Sequence, residues 1–150
     1  MKARFLSFAI ALLVLFNFTD AFAQNPNLRS PLTSSVTNDQ QLQVCYDISG
    51  LGNVESVLII VNYDLTVNTF CYNRGQKSGP VPGLTQHYED QSFTQAVPVR
   101  NGRARGCITT EENIQAGSCP PGMARSETSV SYSNITLSIY DETFAVPDAN

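Results

Sequence analysis

The chain has 150 residues, with nine Lys or Arg against thirteen Asp or Glu and a net charge of −4 at neutral pH. That length suits one domain around a single core, and the acidic balance argues against nucleic acid as a partner. Lys is scarce, Trp is absent, and Thr, Ser, Val and Asn are abundant, a composition that favours strands over helices.

Lys2 and Arg4 precede an apolar run from Phe5 to Phe18, and Ala21-Phe22-Ala23 then places small residues two apart. This is the pattern of a cleaved secretory signal peptide over residues 1–23. The run is shorter than the roughly 20 apolar residues a spanning helix needs. The mature chain is therefore expected to begin near Gln24, to lack a membrane span, and to be secreted into a periplasmic or extracellular compartment. Losing Lys2, Arg4 and Asp20 with the leader takes the net charge from −4 to −5.

Residues 24–40 carry Asn, Pro, Ser and Thr without periodicity and predict an extended, partly ordered lead-in. A domain over 41–141 follows. Leu42, Val44, Tyr46 and Ile48 alternate with polar positions, the signature of a half-buried strand with Cys45 on its polar side. Gly50 and Gly52 mark a turn. From Val57 to Cys71 every odd position except Thr69 is apolar, which predicts one long strand, bent near Asp64. Because Leu58 and Ile60 are apolar too, the first half of that strand is expected to be covered on both faces.

Tyr72-Asn73-Arg74-Gly75, Gly79-Pro80 and Pro82-Gly83 are dense in backbone punctuation and predict a long loop. Thr85 to Val99 has mixed periodicity, and Pro98 restricts it to an edge or a bulge. Asn101-Gly102, between Arg100 and Arg103, is the strongest short-range turn signal, since both residues accept the positive φ of a two-residue turn. In the strand that follows, Ala104 and Ile108 take one face, while Arg103, Arg105, Cys107 and Thr109 take the other. Residues 116–122 form a second, proline-stiffened loop. Val130 and Tyr132 then alternate on even positions, but Ile135, Leu137 and Ile139 alternate on odd ones, so Ser133-Asn134 predicts a bulge or tight turn. Residues 142–150 are expected to be a flexible tail.

About seven strands without an amphipathic helix predict an all-β fold, an antiparallel immunoglobulin-like β-sandwich, with a small β-barrel as the alternative. The core Trp and the tyrosine two residues before a bridging Cys that mark true immunoglobulin domains are absent. Strand parity also predicts the disulfides. Cys45 and Cys107 both face outward from alternating strands and pair across one sheet. Cys71 ends the long strand on its inward face, where the loop bearing Cys119 caps it. Each Cα pair is expected within about 4.4 to 6.8 Å. With one His and no zinc-type spacing, neither a metal nor another cofactor is expected.

Several groups bear on function. Tyr72 and Arg74 on the first long loop, together with Arg100, Arg103 and Arg105 around the Asn-Gly turn, are the candidate ligand-binding residues, because arginine and aromatic faces suit anions and glycans. His87, beside Glu89 and Asp90, lacks a nucleophile motif and reads as a solvent-exposed side chain. The acidic pairs Glu89-Asp90, Glu111-Glu112 and Asp141-Glu142 read as solvated turn residues rather than a glycosidase pair or calcium ligands. Asn134-Ile135-Thr136 fits the glycosylation acceptor pattern, which matters only in a eukaryotic secretory pathway.

Four pieces carry a likeness: residues 44–53 (VCYDISGLGN), residues 70–75 (FCYNRG), Asn101-Gly102-Arg103 with Ile108-Thr109-Thr110, and Gly117-Ser118-Cys119-Pro120. Over residues 42 to 140 the chain resembles a group of small exported bacterial proteins that look like β-sandwiches of no assigned function. Members carry a Trp soon after the Cys-Pro, where this chain has Met123. The resemblance implies fold and compartment and transfers no site. The expected function is a secreted, non-catalytic binding or envelope-associated structural module whose partner is a glycan or another envelope or extracellular protein. The alternatives are a small secreted hydrolase using His87 with loop carboxylates, and a secreted enzyme inhibitor.

Overall fold

A computed structural model describes residues 24–73, 81–112 and 114–150. The expected signal peptide, Arg74, Gly75, Gly79 and Pro80 lie outside the described residues. The rest is all β, in eight strands: β1 (Asn27–Leu28), β2 (Thr33–Val36), β3 (Leu42–Ser49), β4 (Ser56–Asn73), β5 (Val81–Pro98), β6 (Arg103–Thr109), β7 (Met123–Ile139) and β8 (Glu142–Ala145). They make two antiparallel sheets that do not close into a barrel. In the first, β3 pairs β6 on one side and β1 and β2 on the other; in the second, the order is β5-β4-β7-β8. β1 and β2 occupy successive stretches of the same edge of β3, so eight strands fill seven positions. The order matches an immunoglobulin-like sandwich in which the fourth strand position has joined the other sheet.

β4 organises the molecule. Its odd residues Val57, Ile59, Val61, Tyr63, Leu65, Val67, Thr69 and Cys71 are all buried, without a break in parity over the 18 residues. Both neighbours break theirs. Between Tyr63 and Leu65 of β4 the partner β5 advances from Gln91 to Tyr88, and between Asn62 and Asp64 the partner β7 advances from Thr136 to Ser133. Each neighbour thus spends three residues against two, which defines a bulge. Asp90 and Asn134, in the two bulges, have positive φ values of 54° and 52°. The parity switch at Ser133-Asn134 is this bulge. Asp64 ties both down: Oδ1 accepts from the backbone N–H of Asp90 at 2.9 Å, and Oδ2 from Asn134 Nδ2 at 2.6 Å.

The first half of β4 packs against β3 and β6, joining Leu42, Val44, Ile48, Ala104 and Ile108 to Val57, Ile59, Val61, Leu137 and Ile139 in one core. Leu58 and Ile60 are not covered, in contrast to the expectation from sequence; Leu58 is 62 % exposed. Alternation aims both at the outer face, where the small side chains of Ala96 and Thr94 on β5, and of Ser138 on β7 beside Ile60, are their register partners.

The second half of β4 extends beyond the first sheet. Its inner face is covered by the connection from β6 to β7, which crosses from one sheet to the other. Thr110 fixes its start, accepting at Oγ1 from the Leu42 N–H and donating its own N–H to the Leu42 carbonyl. The Gly117 N–H donates to Thr69 Oγ1 at 2.8 Å, and Cys119 bonds Cys71. Gly83 lies beneath that bond: a Cβ there would stand 2.7 Å from Cys71 Sγ and 2.7 Å from the Thr69 carbonyl oxygen.

Both disulfides pair as parity predicts, Cys45 with Cys107 and Cys71 with Cys119. The second has its Cα atoms 5.8 Å apart, whereas the first, at 3.9 Å, is closer than the expected window. Cys45 and Cys107 are direct register partners on adjacent strands, which brings their backbones together. Two disulfides and no free cysteine are what an oxidising, extracellular-type compartment sustains. Among the described residues no helix is long and apolar enough to cross a membrane.

Three further expectations are corrected. The lead-in is ordered: it supplies β1, β2 and the buried Leu32, because its backbone completes the open edge of β3. The tail is docked rather than flexible: β8 pairs β7, Val146 and Ala149 are buried, and Ala149 exchanges backbone bonds with Tyr132 at 2.7 and 2.9 Å. The loop expected after Cys71 is shorter at both ends. β4 runs on to Asn73, and Val81 and Pro82 already pair Cys71 and Phe70.

Two predictions follow from the packing of β4. Hydrogen bonds from Asn134 and Asp90 hold the Asp64 carboxyl below its ordinary range. The stability they supply is in place above the unfolded value near 3.9 and is lost as pH falls through the lowered folded value. Asp64→Ala should lower the thermal midpoint at neutral pH, and the gap from the parent should close in acid below that value. Replacing Cys71 and Cys119 together by Ala should remove about 4 kcal/mol in the chain-entropy account, read by urea denaturation.

Candidate functional site

The outer face of the first sheet follows from the same alternation that fills the core. Odd residues of β3 and β6 point outward, so Asp47 and Ser49 meet Arg105 and Arg103 as register partners. Arg103 grips Asp47 with two bonds, Nε to Oδ1 at 2.6 Å and Nη2 to Oδ2. This planar fork is the geometry at which a guanidinium excels. The bonds from Arg103 are the main cause that holds the Asp47 carboxyl below its ordinary range, and the positive charges of Arg105 and Arg29 act in the same direction. Arg100 joins them through the turn. Asn101 and Gly102 have φ of 52° and 69°, and Arg100 and Arg103 exchange backbone bonds at 2.9 and 3.1 Å. The expected two-residue turn is present, but its flanks part after that one bridge, with β5 in one sheet and β6 in the other. It is a corner between sheets, and it sets arginines at the rim.

Among the described residues the basic side chains are Arg29, Arg100, Arg103, Arg105 and Arg125. Three of the five, Arg29, Arg103 and Arg105, act on the Asp47 carboxylate, and Arg100 stands with Arg103 and Arg105 at the corner. Pro98, Arg100, Arg103 and Arg105 line a depression of about 430 Å³. A second, of about 480 Å³, lies over the Cys45–Cys107 bridge and shares Arg105, with Ser30, Thr33 and Asp47 on its walls.

Tyr72 does not join this group. It is exposed at the opposite end of β4 from the corner, since β5 pairs Ser56 with Pro98 and Cys71 with Val81. Fifteen residue steps of strand separate those rungs, roughly 50 Å. A single surface combining Tyr72 with the three arginines is thus not formed. His87 is exposed on the outer face of β5, with Nδ1 3.0 Å from Thr66 Oγ1. Asn134 of the glycosylation-type pattern is engaged with Asp64.

A cleft of about 340 Å³ was not anticipated from sequence. Leu65, Tyr88, Gln91, Glu112, Ile114 and Gln115 line it where the β6–β7 connection leaves the first sheet. Glu112, read from sequence as a solvated turn residue, is half-buried and accepts a hydrogen bond from the Tyr63 hydroxyl. The correction has a packing cause: Tyr63 is 2 % exposed and packs edge-to-face on Tyr132 with centroids 5.6 Å apart, so its hydroxyl needs an internal acceptor. The available signal was a Tyr in an otherwise aliphatic inward row.

No family model matches the chain, and neither does any curated protein or solved structure.

Burial, followed by the bond to Glu112, pushes the Tyr63 phenol far above its ordinary value, and burial pushes Tyr132 up to about 12. The unfolded chain gives up these protons near pH 10 while the folded one keeps them. Stability is therefore full below about pH 10 and falls as pH rises through the range up to the folded values. Alkaline unfolding followed by circular dichroism should show this decline, and Tyr132→Phe should flatten it.

Proposed function

We propose that this protein is a secreted, non-catalytic β-sandwich that binds an anionic ligand, a glycan or the acidic surface of another envelope or extracellular protein, through Arg100, Arg103 and Arg105. The observation that carries this reading is charge segregation. In a chain of net charge −4, three of the five described cations act on the one carboxylate of Asp47 and a fourth, Arg100, lines a depression with two of them, and a surface with an excess of one sign draws the opposite charge from solution.

Within the group the roles differ. Arg103 is held by Asp47 and provides a fixed positive wall, with its side chain still 43 % exposed. Arg100 and Arg105 are exposed, and among the described residues neither side chain makes a hydrogen bond or a close ion pair, so both guanidiniums are open to a ligand. Cys45–Cys107 cross-links β3 to β6 on the same outer face, one outward rung from Asp47 and Arg105, and fixes the spacing of these two strands. Such preorganisation lowers the ordering cost of binding.

The test is retention of the purified mature chain on immobilised dextran sulfate against neutral dextran. Retention at low ionic strength is expected on the first and not the second, with elution by salt because the contacts are solvent-exposed. Arg100→Ala with Arg105→Ala should elute at clearly lower salt. Absence of retention by the parent protein at low salt would remove the reading.

A further inference from the structure

We infer that the ligand of the arginine face is a linear acidic polysaccharide whose charged groups are spaced by neutral, hydroxyl-bearing units, and that it lies across the strands from Arg100 to Thr33. This rests on the anion-binding reading above and goes further by naming the ligand class and its path.

The two depressions adjoin at one residue. Arg105 belongs to both, so the surface runs from Pro98 and Arg100 over β6 and β3 to Ser30 and Thr33 at the β2 edge. Crossing from β6 to β2 covers two strand spacings, roughly 10 Å, before the reach of Arg100 at the corner is added. That is longer than one sugar ring and suits a chain laid perpendicular to the strands.

Chemistry changes along this path. At the corner end stand three guanidiniums. Over the middle lie Asp47 and the Cys45–Cys107 bridge, and at the far end are the exposed hydroxyls of Ser30 and Thr33. Among the described residues no hydrogen bond from the Ser30 or Thr33 side chain to another group occurs, which leaves both hydroxyls able to donate and accept. A polymer carrying charge at every step would set an anion over Asp47. A uronate-type chain places a carboxylate against the arginines and presents ring hydroxyls to Asp47, Ser30 and Thr33. Nucleic acid fits less well on a second count. Single strands are held by stacking on exposed aromatic faces, and the one aromatic lining the path, Tyr46, is 7 % exposed and lies under Gly106.

The experiment measures affinity of the mature protein, by calorimetry at low salt, for hyaluronate oligomers of increasing length, in which a uronate alternates with a neutral sugar, for inorganic sulfate, for an oligonucleotide and for an oligoaspartate peptide of matched charge. The expected result is affinity that climbs with hyaluronate length and levels off once the path is filled. Thr33→Val should lower the ratio of long-oligomer to sulfate affinity roughly five-fold, the worth of one neutral hydrogen bond. An unchanged ratio in Thr33→Val, or affinity that tracks charge alone, overturns the polysaccharide path while leaving the anion patch standing. Tighter binding of the oligonucleotide or peptide overturns it in favour of those ligands. Failure to bind sulfate and every polyanion removes both readings together.

Discussion

The unbroken inward parity of β4 is the constraint to which the rest of the molecule adjusts. A strand that keeps one side chain in two facing the core over 18 residues accumulates twist, and its neighbours cannot follow it rung for rung. β5 and β7 each insert a residue at the level of Asp64, and the insertion returns their own apolar residues to the inner face: Tyr88 on one side of the bulge and Phe93 on the other, Tyr132 and then Ile135. A bulge leaves backbone groups without ladder partners. Asp64 answers this on β5 by accepting from the Asp90 backbone N–H, and its other oxygen holds the β7 bulge through the Asn134 side-chain amide. A single half-buried acid thereby ties three strands together at this height, and each neighbour shifts register once more between Asn68 and Cys71.

The length of β4 creates a second requirement. Only half of its inner face has a sheet opposite, so the remaining apolar residues need another cover. The β6–β7 connection provides it with little regular structure, held at its start by Thr110, in the middle by Thr69 and at the end by the Cys71–Cys119 bond. Because a loop cannot fill space as closely as a second sheet, a cleft remains where the two covers meet. Tyr63, Tyr132 and Glu112 converge there. Gly83 shows how tight the far end is, since the strand edge approaches the disulfide with no room for a Cβ.

The two disulfides have different mechanical roles. Cys71–Cys119 joins a strand to the segment that covers it, and so acts on the core. Cys45–Cys107 joins two strands that the ladder already holds together, and its effect falls on the outer surface, where Asp47 and the arginines flank it. Stiffness at that place acts on the outer surface more than on the core beneath.

Much of this was legible in the sequence, because strand parity is a local property. The odd-position row of β4, the switch at Ser133-Asn134, the corner at Asn101-Gly102 and both disulfide pairings follow from which way alternating side chains must point. What alternation does not carry is whether anything stands opposite a face. Leu58 and Ile60 have the pattern of covered residues and face solvent, while the lead-in and tail have no pattern and are held by backbone bonds that any residue other than proline can donate. The arginine face was half visible. Arg100, Arg103 and Arg105 are close in sequence, but Arg29 and Asp47 reach them only because β3 pairs both β6 and the lead-in strands. Tyr72 was separated from them by the sheer length of β4, and Glu112 was brought inward by a buried phenol 49 residues away in the chain. Local geometry thus decided the direction of each side chain, and tertiary pairing decided its company, because contacts across sheets join residues that no window of sequence contains.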